Sequence, residues 1–148
     1  MNNQRRKELN NIAAAMENVS TPVDIEQLEG IKSDIEMVLM DEEMAFDSMP
    51  EGLQYSMRGE ASQEAQDNMN EAIDAIDEFI SEYEDYETDQ IHDPDEDEDE
   101  EANESEIEDR LQDLINDVVE YLEAAAMCGE LCIASYILIR SGDSRNLR

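Results

Sequence analysis

The sequence predicts an all-α protein, and three observations carry that expectation. Among 148 residues there are only 5 Gly and 3 Pro, and no Trp. The few turn formers and the many Ala, Glu, Met and Ile together argue for helices and against a sheet. Apolar residues recur at spacings of three and four rather than alternating. The expected architecture is a long antiparallel helical hairpin, preceded by a short N-terminal helix and followed by an apolar C-terminal helix.

The first helix is expected over residues 3–19, where Leu9, Ile12, Ala13, Met16 and Val19 form one stripe. Ser20-Thr21-Pro22 then stops it. Thr21 reads as the cap of the next helix, Pro22 as its first residue, and Asp24 stands three beyond the cap. The second helix is placed from Pro22 to Ser48. Its stripe is Ile25, Leu28, Ile31, Ile35, Val38, Leu39, Ala45, Phe46 and Met49, interrupted near Glu42. Pro50, Gly52 and Gly59 mark a loop.

The third helix is expected from Glu60 to Tyr86. Its seam of Ala65, Met69, Ala72, Ile76, Phe79, Tyr83 and Tyr86 alternates by four and three, widened by Ile73 and Ile80. The second and third helices are each about 27 residues long, hence roughly 40 Å. Equal lengths across a short loop predict an antiparallel pair.

Residues 87–103 read as a flexible acidic linker. From Glu87 to Asp109 there are 14 acidic residues and no Lys or Arg, and Asp95 to Glu101 is an unbroken run of seven carboxylates. Like-charge runs resist folding, and Asp93-Pro94 blocks a helix. Residues 104–148 read as the last helix, with Ser105 and Glu108 at capping-box spacing. Its stripe is Ile107, Leu111, Leu114, Ile115, Val118, Val119 and Leu122. Farther on, Leu131, Ile133, Tyr136, Ile137 and Ile139 cover too much of the circumference for a surface helix. They are expected to pack on the hairpin domain, residues 1–86, or on a second copy, which predicts a homodimer.

Charge is the outlying total: 42 Asp and Glu against 9 Lys and Arg, a formal net of −33. Such a surface repels nucleic acid and anionic lipid, and attracts the basic proteins that bind nucleic acid. The apolar stretch from Ala124 to Ile139 is 16 residues, short of the ~20 that span a membrane. Arg5, Arg6 and Lys7 lead into Leu9-Asn10-Asn11 and not into an apolar core, so no secretory signal is read. Cys128 and Cys132 read as two small core residues on one helix face, from which a reducing, cytoplasmic setting is expected.

Catalytic signatures are missing. No Gly-rich phosphate loop, Gly-x-Ser-x-Gly elbow or Glu-x-x-His pair stands in the chain, and His92 is the only histidine. Cys128 and Cys132 lack the partners that zinc requires. The segment from Asp93 to Glu104 has acids at most positions of a calcium loop, but Glu98 stands where the sharp turn needs Gly. No cofactor and no metal are expected, and the chain reads as a binding protein and not as an enzyme.

One acidic pattern stands out. Glu60, Glu64, Asp67, Glu71, Asp74, Glu78, Glu82 and Asp85 recur every three or four residues beside the apolar seam. A charged row of this kind is also what a solvated helix shows. Ordinary helices, however, mix signs, because like charges at i, i+4 cost ~0.2–0.5 kcal/mol each. From Gly59 to Asp109 no Lys or Arg relieves the row. The row and the run Asp95, Glu96, Asp97, Glu98, Asp99, Glu100 and Glu101 are therefore the candidate partner-binding residues, presenting to a basic groove what DNA phosphates present. The expected partner is a basic nucleic-acid-binding protein, with no direct nucleic acid and no membrane. The competing expectation is an adaptor or assembly protein that works through its apolar last helix, with acid serving solubility.

The stretch Phe46-Asp47-Ser48-Met49-Pro50-Glu51-Gly52-Leu53-Gln54, with Arg58-Gly59-Glu60 and Asn70-Glu71-Ala72-Ile73-Asp74-Ala75-Ile76, resembles small acidic helical proteins encoded by bacteriophages and prophages. The likeness covers about residues 5 to 86 and implies a phage-encoded protein acting in a host cell. It brings no mechanism. At the level of class, charge and helicity are similar to the antirestriction and anti-CRISPR proteins that mimic DNA, which would make a host nuclease or defence complex the target.

Overall fold

The computed structural model describes residues 1–90 and 100–128. Among these the protein is all-α: α1 spans Asn3–Glu17, α2 Ile25–Asp47, α3 Glu51–Gln54, α4 Met57–Gln90 and α5 Glu100–Met127. Asp95 to Asp99, and the apolar residues Leu131, Ile133, Tyr136, Ile137 and Ile139, lie outside the described residues.

Several boundaries differ from those expected, each for a local reason. Asn2 starts α1 by accepting the Arg5 amide at 2.9 Å. It is Asp24, not Thr21, that caps α2, accepting the Gln27 amide at 3.3 Å. Thr21 and Pro22 stay in the connection, and α2 begins at Ile25. Beyond Pro50 the expected loop contains the short helix α3. Gly59 belongs to the first turn of α4 and not to a loop. A Cβ there would collide with the backbone of Gln54, so the missing side chain lets α3 sit directly on α4. Gln54 secures the other side of the turn, donating its amide to the Phe46 and Met49 carbonyls at 3.2 Å each.

Helix lengths differ too. α2 has 23 residues and α4 has 34, about 35 and 51 Å. The surplus arises at both ends of α4, which takes in Met57–Gly59 and runs past Tyr86 to Gln90. Residues 87–90 and 100–103, expected as linker, are thus helical. α5 starts at Glu100, which leaves Ser105 inside the helix and not at its cap.

Four long helices pack around one core. α1 borders α2 and α5, and α4 borders the same two, so α1 and α4 face each other across a diagonal. Neighbours run antiparallel: Arg5 near the start of α1 meets Glu42 near the end of α2, Lys32 of α2 meets Asp77 of α4, and Arg110 early in α5 meets Glu82 late in α4. This is the up-down arrangement of a four-helix bundle. Leu9 and Met16, Leu28 and Ile35, Met69 and Ile76, and Val118 and Leu122 bring two fully buried side chains from each helix. Burial of each is worth roughly 1.5–3 kcal/mol.

The apolar face of α5 from Leu111 to Cys128 is thus covered within one chain. No helix among the described residues is long and apolar enough to cross a membrane.

Candidate functional site

All eight carboxylates of the α4 row, Glu60, Glu64, Asp67, Glu71, Asp74, Glu78, Glu82 and Asp85, are exposed. The seam beside them, Ala65, Met69, Ala72 and Ile76, is fully buried, so packing keeps the row, about 100° round the helix, on the solvent side. From Glu60 to Asp85 the row extends about 37 Å along a continuous helix. That is one charge per ~5 Å, sparser than the one phosphate per ~3.4 Å of axis on a DNA strand.

The neighbouring helix narrows that deficit, and sequence reading had passed over it. On α5, Glu106, Asp109, Asp113, Asp117 and Glu120 follow the same spacing of three and four, and all five are exposed. They stand opposite the buried Leu111, Val118 and Leu122. Because α4 and α5 pack side by side, the two acidic rows stand on adjacent helices, and Glu82 of one and Glu106 of the other line the same notch.

Two ion pairs border the α4 row. Lys32 reaches Asp77 at 2.6 Å on the α2 side, and Arg110 reaches Glu82 at 2.6 Å on the α5 side. The Asp77 carboxylate raises the Lys32 pKa above its ordinary value. Both pairs are largely solvent-exposed and contribute little to stability. Glu82 is therefore locally compensated. The other seven members of the α4 row have no ion-pair partner among the described residues.

At the far end of this face the rings of Phe79, Tyr83 and Tyr86 follow one another, with centroids 6.2 and 6.5 Å apart. With Ile107 and Arg110 they line a notch of about 100 Å³. Burial, followed by the nearby Glu87 carboxylate, raises the Tyr83 pKa. A second cleft, about 370 Å³, lies between Glu17 at the end of α1 and Gln112 to Glu123 of α5. Despite so many acids, no group of three or more His, Cys, Asp or Glu among the described residues is placed to hold a metal ion.

A buried polar cluster was also missed in the sequence. Glu42, expected as a break in the α2 stripe, is fully buried inside it. Its Oε2 accepts from Arg5 Nε at 2.7 Å and its Oε1 from Ser62 Oγ at 2.6 Å. The Met1 amino group lies 3.4 Å from Oε1. Every buried side-chain nitrogen and oxygen among the described residues has a partner. The signal was present: position 42 falls at i+4 from Val38, in phase with the core. This cluster joins α1, α2 and α4 and is structural, whereas the α4–α5 face is the candidate binding surface. No protein family, curated protein or solved structure matches the chain.

Proposed function

We propose that this protein is an acidic decoy, which occupies the basic nucleic-acid-binding groove of a DNA-binding protein through the α4–α5 face. The observation that carries the reading is the α4 row, eight exposed carboxylates on one rigid helix, seven of them without an ion-pair partner among the described residues. A row held by a packed helix loses little conformational freedom on binding, which favours affinity. The resemblance to phage-encoded acidic proteins directs the proposal to a host nuclease or defence complex in the cytoplasm. The run Asp95–Glu101 extends the acidic surface in sequence.

The adaptor reading has less to support it. The described part of the last helix, up to Cys128, spends its apolar face inside the bundle. Self-association through Leu131, Ile133, Tyr136, Ile137 and Ile139 is a separate part of the proposal, checked by sedimentation.

The test is capture from bacterial lysate on immobilised protein, eluted in parallel by duplex DNA and by salt. The expected result is one DNA-binding protein released by duplex DNA and by moderate salt, since screening weakens exposed charges. A variant with Glu64→Gln, Asp67→Asn, Glu71→Gln and Asp74→Asn should fail to retain it. Retention unchanged at about 1 M salt, where the screening length is ~3 Å, or retention by the neutralised variant, would sink the reading.

A further inference from the structure

The acidic face does not account for an exposed apolar strip on α2. Met37, Met40 and Met44 are 65%, 61% and 61% exposed. Their spacing sets them in a line along α2, on the side opposite the buried Ile31, Ile35 and Val38. Three large apolar side chains on the outermost ridge of a helix gain nothing from the fold. An aligned apolar strip rimmed by polar residues marks an interaction surface, which isolated surface apolar residues do not.

Carboxylates rim this strip on both sides. At about 100° per residue, Glu36, Glu43 and Asp47 fall along one edge and Asp34 and Asp41 along the other, and all five are exposed. Lys32, the one basic residue of α2, is engaged with Asp77 of α4 and away from the strip.

We propose that the Met37–Met40–Met44 ridge docks a basic amphipathic helix of a partner protein. Such a helix offers apolar side chains at i, i+3 and i+7 to match the ridge, the usual pattern of helix recognition. Its flanking Lys and Arg meet carboxylates on either side. Methionine suits the role because its unbranched, polarisable side chain adapts to apolar partners of different shape. Charge selects this occupant over a second copy of the chain. A second copy would bring the same acidic rims and another net −33 to the contact, placing like charges against each other. The ridge is on α2 and the decoy face on α4 and α5, so either proposal stands or falls without the other.

The test uses the full chain, isotope-labelled at its methionine methyl groups. The probes are a synthetic leucine–lysine amphipathic helix of about four turns and a scrambled peptide of the same composition. The expected result is that the Met37, Met40 and Met44 methyl signals move on titration with the helix while those of the buried Met16 and Met69 stay in place. The exposed triple variant Met37→Gln, Met40→Gln, Met44→Gln should bind the helix about tenfold more weakly or worse, and the scrambled peptide no differently. Equal affinity for the two peptides, or an unaffected triple variant, overturns the proposal. So does shielding of the three methyls from a soluble paramagnetic probe in the free chain, because the ridge would then already be covered.

Discussion

Ser62 of α4 donates its hydroxyl to the carboxylate of Glu42 on α2 across 2.6 Å, and both side chains are fully buried. With Arg5 on the other oxygen, the carboxylate ties three helices together at one end of the bundle. Removing one member leaves the fully buried Glu42 carboxylate with fewer partners, which costs more than the lost contact itself contributes. Arg5→Ala should therefore destabilise by about 3 kcal/mol and Ser62→Ala by about 1–2 kcal/mol. The double variant should lose less than the sum, because both act on one carboxylate. Urea unfolding of the four proteins checks this, and strict additivity would argue against a shared network.

Gly59 makes a second, steric prediction. Gly59→Ala places a methyl against the Gln54 backbone, which has no flexible end to move aside. Helix propensity alone would favour Ala by ~1 kcal/mol. The expected outcome is the reverse sign, a loss of about 1–3 kcal/mol. A thermal melt of the variant decides between them.

The start of α2 separates two candidate caps. Asp24→Ala should cost about 1 kcal/mol, the usual value of a lost cap. Thr21→Ala should change stability by less than about 0.5 kcal/mol. A larger effect at Thr21 than at Asp24 would return the cap to the position first expected from the sequence.

Alkaline stability follows from two raised pKa values. Folding holds the Lys32 proton more tightly, through its hydrogen bond to Asp77, and the Tyr83 proton more tightly, through burial and Glu87. A raised folded-state pKa gives stability that is complete below the unfolded value and lost as pH rises through the folded one. Both contributions should therefore persist at neutral pH and fade above about pH 10. Tyr83→Phe should flatten the Tyr83 part of that fall, read from melting temperature against pH.

Salt should act on folding and on the proposed binding in opposite directions. Screening relieves repulsion within a chain of net charge −33, so added salt should raise the melting temperature by on the order of a few degrees. The same salt should weaken capture of a basic target. If both fell together, the acidic rows would be stabilising the fold and not straining it.

The helical class and nearly all of the core were legible in the sequence, because the period of burial is written directly in Leu9 to Val19, Ala65 to Phe79 and Leu111 to Leu122. The α4 row was legible for the same reason, being the complement of the seam. The α5 row was not singled out, since it becomes part of a face only when α5 packs beside α4. Gly59 was misplaced because a glycine inside a helix and a glycine in a loop look alike until the approaching Gln54 backbone is seen. Glu42 was misread because a carboxylate in a core position signals a break unless its partners are known. Those partners, Arg5 and Ser62, lie 37 and 20 residues away.

No member of the α4 row takes part in the buried core or in the Glu42 cluster. Frame and coat are thus separate inventions within one helix. Substitutions on the coat are free of the constraint that governs the frame, where a change at Met69 or Ile76 would open a cavity. A lineage pressed to follow a changing partner would rewrite the outward row position by position while the bundle stayed as it is. An engineer would have the same freedom, with eight adjustable sites on a ruler whose spacing the core has already set.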